Sequence, residues 1–315
     1  MRAGTVVPEV AIIIPHYKDV LRLEKCLQAL ALISELQRCE VVVVDNNSEI
    51  DLSLLQLRHP AVRFINEATQ GAAASRNRGV RETTAPLLFF LDSDCIPRVD
   101  WIPAGIVALT KADIVGGSID LFDETDPPRN GTQVFESVFA FKQKQYIEKQ
   151  HFSVTANLLT WRRVFDDVGG FRSGVSEDVD WCHRAVREGY TLVYDENVRV
   201  GHPTRNNMGE LTRKWKRMVQ ERFELQSQEP YARARWALRA LLVLFSPIVD
   251  IRRIVLSDRV NGHQEILRGI GVLCHLRFLR FVWMMKQVFS MAAMKQQLPR
   301  AEVPVSSHGA SLSRK

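Results

Sequence analysis

Val10-Ala11-Ile12-Ile13-Ile14 is apolar at every position, and Glu40-Val41-Val42-Val43-Val44 at all but its first. A strand with water on one face alternates apolar and polar side chains, so unbroken runs fit strands buried on both faces, as in a parallel sheet covered by helices. Val62-Arg63-Phe64-Ile65 and residues 86–91 supply a third and a fourth run. Between the first two, Val20, Leu23, Leu27 and Leu30 recur at helical spacing, and residues 71–81 read as a helix opening before the fourth. This alternation predicts an α/β fold with a mostly parallel central sheet flanked by helices. Three of the runs end in polar clusters, Pro15-His16-Tyr17, Asp45-Asn46-Asn47-Ser48 and Asp92-Ser93-Asp94. Open α/β sheets bind ligands at the carboxyl ends of their strands, so a nucleotide-type site is expected there.

The middle of the chain is less regular. Residues 114–115 are expected as a strand ending at Gly116-Gly117, residues 135–150 as one helix, and residues 177–188 as another, stopped by Gly189. Residues 191–194 and 198–200 read as two extended segments. From Gly209 the pattern changes to helices rich in Arg, Leu and Trp. The most apolar stretches, 237–251 and 270–293, are interrupted by Arg239 and Pro247 and by Arg277, Arg280 and Lys286, so neither has the roughly 18 uninterrupted apolar residues of a membrane span. The favoured reading is a membrane-associating region of helices lying in a membrane interface with their basic groups snorkelling; the alternative is a helical subdomain packed on the sheet. The expected division is an α/β domain over 1–205, a basic amphipathic helical region over 206–295 and a disordered tail over 296–315.

Charge bears on partners. The net charge of +6 hides an asymmetry: 22 basic against 28 acidic residues up to His202, and 20 against 8 beyond it. A basic C-terminal third suits an anionic membrane surface, an acidic substrate or nucleic acid. Its apolar helices and the acidic front argue against nucleic acid. Five scattered cysteines without a C-x-x-C pair argue against a zinc framework and point to a reducing compartment. A first strand starting at Val10 leaves no room for a cleavable signal peptide, and the expected location is cytoplasmic, at the inner face of the cell membrane.

Asp92-Ser93-Asp94 directly follows the fourth run. If extended, it points two carboxylates to one side, which suits Mg²⁺ or Mn²⁺ bound through one or two carboxylates plus substrate phosphates; alone it could equally be a solvated acidic turn. Pro15 stiffens the exit from the first strand, and Tyr17 could stack on a base or sit in the core. Asp45 can accept hydrogen bonds from a base or ribose, or act as a turn former. Arg76, near a helix start, suits phosphate oxygens; it or Arg78 could equally face solvent. Of Glu177-Asp178, one carboxylate is a candidate general base for a hydroxyl nucleophile, against a bland helix-capping role. His202 is a third metal ligand or a polar turn residue.

In order along the chain, Ala11-Ile12-Ile13-Ile14-Pro15-His16-Tyr17, Val43 to Ser48, the Ser75-Arg76-Asn77-Arg78-Gly79 run, Asp92-Ser93-Asp94, Thr155-Ala156-Asn157-Leu158 with Val168 to Phe171, and Glu177-Asp178-Val179-Asp180-Trp181 resemble the family 2 glycosyltransferases. The resemblance implies an A-type (GT-A) nucleotide-diphospho-sugar transferase fold. It places the nucleoside at Pro15, Tyr17 and Asp45 and the phosphates near Arg76. It gives the donor's ribose and diphosphate to Asp92 and Asp94 through a metal completed by His202, and the sugar pocket to Asn157. Asp178 becomes the base and Glu177 its acceptor-orienting neighbour. The implied reaction is an inverting transfer from a nucleotide-diphospho-sugar to a glycan or lipid-linked hydroxyl, in cell-envelope or exopolysaccharide assembly, with peripheral contact to an anionic membrane. Two departures stand out. Asn46 follows Asp45 where the family often has a second acid, and Arg213-Lys214-Trp215-Lys216-Arg217 does not reproduce the Q-x-x-R-W of processive synthases, which favours single addition. The rival readings are a nucleotidyltransferase, against which the missing Gly-rich activating loop counts, and a non-catalytic sugar-nucleotide-binding subunit, which would not need both acidic pairs.

Overall fold

A computed structural model describes residues 7–226 and 231–297. Eight strands form one sheet in the order β3-β2-β1-β4-β7-β6-β8-β5. The four runs become β1 (Val10–His16), β2 (Cys39–Asp45), β3 (Val62–Asn66) and β4 (Leu87–Leu91), all paired in parallel. Helices α1 (Val20–Ala31), α2 (Ser53–Arg58) and α3 (Ala72–Arg81) connect them. Two apolar clusters cover opposite faces, with Ile12, Ile14, Leu23 and Phe89 in one and Ile13, Leu88, Phe90 and Trp181 in the other. This two-sided burial accounts for the unbroken apolar runs.

Beyond β4 the sheet is mixed, so the largely parallel pairing that was expected also takes in antiparallel strands. The short β5 (Ile96–Pro97) is antiparallel to β8 (Leu192–Pro203) at one edge, and β7 (Asn157–Trp161) is antiparallel to both β4 and β6 (Ile114–Phe122). Strand β6 also runs through Gly116-Gly117 instead of ending there. The glycines are needed inside the strand because a Cβ on Gly117 would meet Asn157 Nδ2 and the Val198 carbonyl at 2.2 Å. The two extended segments near 191–200 are one strand, β8, parallel to β6 with a register shift at Gly117/Ser118. Helix α4 (Trp101–Leu109) precedes β6. The single helix expected over 135–150 is two, α5 (Gly131–Phe139) and α6 (Gln143–Gln150), separated by a break in which Phe141 has φ of 46°. Helices α7 (Arg162–Val168) and α8 (Glu177–Arg187) follow β7.

The C-terminal region is α9 (Met208–Gln226), α10 (Ala232–Phe245), α11 (Pro247–Val255) and α12 (Gly262–Gln297). Among the described residues no helix is long and apolar enough to cross a membrane. Leu211 of α9, Ile254 of α11 and Leu273 and Leu276 of α12 bury against Val134 and Phe135 of α5, so the packed-subdomain reading holds for those faces. Helices α5 and α12 approach closely at Gly269, where a Cβ would meet Val134 at 2.5 Å. The opposite face of α10 and α11 leaves Leu238, Leu241, Leu242, Phe245, Ile248 and Val249 exposed. Of the tail expected over 296–315, all beyond the end of α12 at Gln297 lies outside the described residues.

Candidate active site

The strand ends build the site from left to right. At the tips of β1 and β2, buried His16 donates from Nδ1 to Asp45 Oδ1 at 2.8 Å. The tautomer follows from its other nitrogen, which accepts from the Asp19 amide at 3.2 Å. Ser48 donates from its hydroxyl at 2.6 Å and its amide at 3.0 Å to the two Asp45 oxygens. Loss of solvent pushes the Asp45 carboxyl up, but these donors outweigh it and hold it below its ordinary value. Asp45 is therefore a fixed anion, and His16, to which the sequence pattern assigned no role, is what orients it. Pro15 is partly buried within β1, and Tyr17 is 53% exposed, so its ring is open to a ligand and is not a core tyrosine. Asn46 donates to the carbonyls of Glu67 and Thr69 and accepts from the Gly71 amide. An acid could not make both donations, so this departure from the family pattern serves to pin the loop before α3.

Arg76 joins the two acidic clusters. Its guanidinium, with a side chain 4% exposed, donates to Asp92 Oδ1 at 2.6 Å and to Glu177 Oε1 at 2.9 Å. Carboxylates 85 positions apart in sequence thus share one cation. The same geometry corrects two expectations. Arg76 is committed to these acids and does not face open phosphate space, because α3 carries it inward under the cleft. The Asp92-Ser93-Asp94 segment is a turn, closed by the Cys95 amide on the Asp92 carbonyl at 3.0 Å, and not an extension of β4. Asp92 is an ion-pair partner of Arg76 through Oδ1, and its other oxygen is not engaged by Arg76.

Asp94 meets His202 near the end of β8, Oδ2 to Nε2, at 3.4 Å. The ring's Nδ1 lies 2.7 Å from the Pro203 carbonyl, which can only accept, so in the neutral ring the proton sits on Nδ1 and the Nε2 lone pair faces the carboxylate. Two lone-pair donors facing each other at this separation fit a divalent cation. Among the described residues no third His, Cys, Asp or Glu joins them, so such an ion would draw its other ligands from water or substrate. Phe141 packs on the His202 ring at 4.4 Å and fixes its plane.

Beside this pair opens a cavity of about 350 Å³ whose cations the sequence pattern left unassigned. Arg22, Arg205, Arg213, Lys214 and Arg217 line it with Asp94, His202 and Glu210. Arg213 and Arg217 lie one turn apart on the face of α9 opposite the apolar Leu211, Trp215 and Val219. Arg205 and Lys214 are both held by buried Glu136 of α5, at 3.0 Å each. The signal was present in the 213–217 run, as an i, i+4 pair of arginines with a tryptophan on the other face.

Asp178 opens α8 with a half-buried side chain. Loss of solvent, then the adjacent Glu177 charge, push its carboxyl up to about 6, against the Val179 amide and Arg76, which pull it down. A carboxyl poised there can take a proton near neutral pH. Glu221 of α9, at 3.4 Å from Arg217, is pushed up to about 7 by loss of solvent, with Arg217 opposing and Glu177 and Asp178 adding to the rise. Helix α9 therefore runs from the basic cavity to the acidic pair. Asn157 is not a pocket residue. It is fully buried, accepts from Trp101 Nε1 at 2.9 Å and donates to the carbonyls of Ser118 and Val198 at 2.9 Å, stitching β7 to its neighbours.

Its relatives place the chain among the glycosyltransferases, on an A-type α/β fold. The pattern described as glycosyl transferase family 2 matches residues 11–169, and the chain belongs to that family. It is 30% identical over 288 residues to glycosyltransferase AglE of Haloferax volcanii, covering 88% of this chain and 92% of that protein. It is 27% identical over 188 residues to the pre-mycofactocin glycosyltransferase of Mycobacterium tuberculosis, 56% of this chain but 40% of that one. The solved mannosyltransferase PcManGT of Pyrobaculum calidifontis, in complex with GDP-Man and Mn²⁺, superposes with a TM-score of 0.54 at 16% identity, covering 94% of this chain and 78% of that one, a likeness of fold.

Proposed function

We propose that the chain is an inverting glycosyltransferase that moves a sugar from a nucleotide-diphospho-sugar to a hydroxyl of a glycan or lipid-linked acceptor. The observation that carries this reading is the Arg76 bridge, which draws Asp92 and Glu177, and with Glu177 the elevated Asp178, into one cleft. Tyr17 and Asp45 receive the nucleoside, and Arg213 and Arg217 the diphosphate in the basic cavity. Asp94 and His202 would hold Mg²⁺ or Mn²⁺, which when bound supplies positive charge to the departing diphosphate. Asp178 takes the proton of the acceptor hydroxyl. The freed oxygen forms a bond to the anomeric carbon from the face opposite the leaving group, and the carbon–oxygen bond to the nucleoside diphosphate breaks with its electron pair going to that group. Arg213 and Arg217 offset the charge that develops there, an effect of about 3 kcal/mol per well-placed group.

The basic C-terminal helices, with an exposed apolar face on α10 and α11, support peripheral contact with an anionic membrane at the cytoplasmic side and a role in envelope or exopolysaccharide assembly. The test is a thermal-shift screen of nucleotide sugars with Mn²⁺, starting with GDP-Man because the Pyrobaculum enzyme holds it. A sugar that raises Tm with metal, and is then transferred or hydrolysed by the wild type but not by Asp178→Asn, supports the reading. No shift and no turnover with any donor would defeat it.

A further inference from the structure

Arg22 of α1 lines the basic cavity together with Asp94 and His202, yet its guanidinium is already taken by two carboxylates. Nε and Nη2 donate to Glu124 Oε2 at 2.9 and 2.7 Å, and Nη1 donates to Asp19 Oδ2 at 3.0 Å. Asp19 is the N-cap of the same helix. Glu124 is not local. It stands 102 positions further along the chain, in the segment between β6 and α5, and it also accepts from Lys25 Nζ at 2.8 Å. Loss of solvent pushes the Glu124 carboxyl up, but Arg22 and Lys25 outweigh it and hold it below its ordinary value, so the group is an anion at neutral pH. An acidic side chain thus reaches the rim of a cavity lined mostly by cations.

A guanidinium fork matches carboxylate and phosphate oxygens alike, so Glu124 occupies a place that an oxyanion of a diphosphate can take. The two partners are held very differently. Asp123 is fixed by Arg129 Nε at 2.5 Å and by the Thr204 hydroxyl, but residues 124–128 are exposed, and among the described residues the Glu124 side chain bonds only to Arg22 and Lys25. Ion pairs this near to solvent contribute only about 0–1 kcal/mol, so they exchange readily. Arg22 is placed by a continuous hydrogen-bonded path from the nucleoside end of the site. Asp45 accepts from His16 Nδ1 at 2.8 Å, His16 Nε2 accepts from the Asp19 amide at 3.2 Å, and the Asp19 carboxylate holds Arg22. Departure of Glu124 would leave that path intact and Arg22 still aimed.

We propose that Arg22 is a donor-binding residue that exchanges Glu124 for the diphosphate of the nucleotide sugar, the segment that carries Glu124 closing the empty cavity and giving way to the donor. The identity of the anion rests on the transferase reading; the exchange at Arg22 is a separate claim.

The test is calorimetric titration of the full chain with UDP and with GDP, at fixed excess Mn²⁺ and about 0.15 M salt, for wild type, Arg22→Gln, Glu124→Gln and the double variant. Arg22→Gln should weaken the nucleotide that wild type holds by about tenfold. Glu124→Gln frees Arg22 of its competitor and should tighten the same nucleotide by about threefold. In the double variant that tightening should vanish, because no guanidinium is left for Glu124 to occupy. General repulsion between Glu124 and the diphosphate would instead give equal tightening in both backgrounds. An Arg22→Gln variant that binds as wild type does overturns the proposal, and so does a Glu124→Gln effect that is absent or persists in the double variant. A pair that only supports the fold would lower Tm without ligand on either substitution and leave affinity unchanged, which also overturns it, as does a wild type that binds neither nucleotide. Donor turnover separates the two readings. The expected affinity pattern without turnover of any nucleotide sugar defeats the transferase reading alone, and turnover with affinity indifferent to both substitutions defeats the exchange alone.

Discussion

Asp178→Asn should make the protein inactive and more stable at the same time. Asn keeps the amide oxygen that can accept from the Val179 amide and the Ser176 hydroxyl, so the local turn survives the change. What disappears is a carboxyl raised from its ordinary 3.8 to about 6. Because the folded form holds its proton more tightly than the unfolded chain, stability falls as pH rises from about 4 to about 6, and the whole deficit is present above that window. The rise corresponds to about 3 kcal/mol at 1.36 kcal/mol per tenfold change in proton affinity. Solvent still reaches this half-buried side chain, so about 1–2 kcal/mol is expected. Urea unfolding at about pH 7.5 should show the variant more stable by that amount, and at about pH 4 the difference should vanish. Transfer should fall by about 10²–10⁴ if Asp178 is the base. A variant that is less stable at neutral pH, or more stable equally at both, would refute the assignment of an elevated carboxyl at this position.

Arg76→Met leaves Asp92 and Glu177 without their shared cation. As both carboxylates still meet solvent, about 2–3 kcal/mol of stability should go in urea unfolding, partly recovered as pH falls and the two protonate. Asp94→Ala and His202→Ala should each remove the Mn²⁺-dependent part of donor affinity and leave the metal-free part unchanged, as read by calorimetric titration with and without a chelator. Asn157→Ala should destabilise by about 2–4 kcal/mol, because Trp101 Nε1 and two strand carbonyls lose their partner, while donor KM stays unchanged at temperatures where the variant is folded.

The parallel half of the sheet was legible because its strands are buried on both faces, and few structures besides a covered strand suit a short unbroken apolar run. The antiparallel half was not. Strand β7 is short, and its polar Asn157 and Thr160 turn out to be buried hydrogen-bonding groups that look like loop residues in sequence. Gly116-Gly117 looked like a stop because the chain offers no sign that Asn157 and the Val198 carbonyl will crowd that place. Of the site, the acidic pairs could be read as clusters, but their division of labour could not. Whether Asp92 faces a metal or Arg76 depends on a turn and on an arginine carried by another helix. The cavity's cations were hardest, since they come from α1, from the segment after β8 and from α9, and proximity of that kind leaves no local pattern.

Glu136 shows why the two parts of the chain cannot be treated as a catalytic unit with an appendage. Its carboxylate sits on α5 with a side chain 1% exposed, in a place where an unpaired anion could not stay ionised. Loss of solvent pushes it up, but Lys214 and Arg205 outweigh that and hold it below its ordinary value. Both cations line the cavity beside Asp94, and Lys214 also lies 5.2 Å from the centre of the Phe141 ring that packs on His202. A single buried acid thus fixes the first turns of α9 against the end of β8. The same helix then presents Arg213 and Arg217 toward the cavity and Glu221 toward the acidic pair. The placement of the cavity's cations therefore depends on the packing of the C-terminal helices against α5, so a change in that packing would be felt at the cleft with every residue of the α/β domain left unaltered.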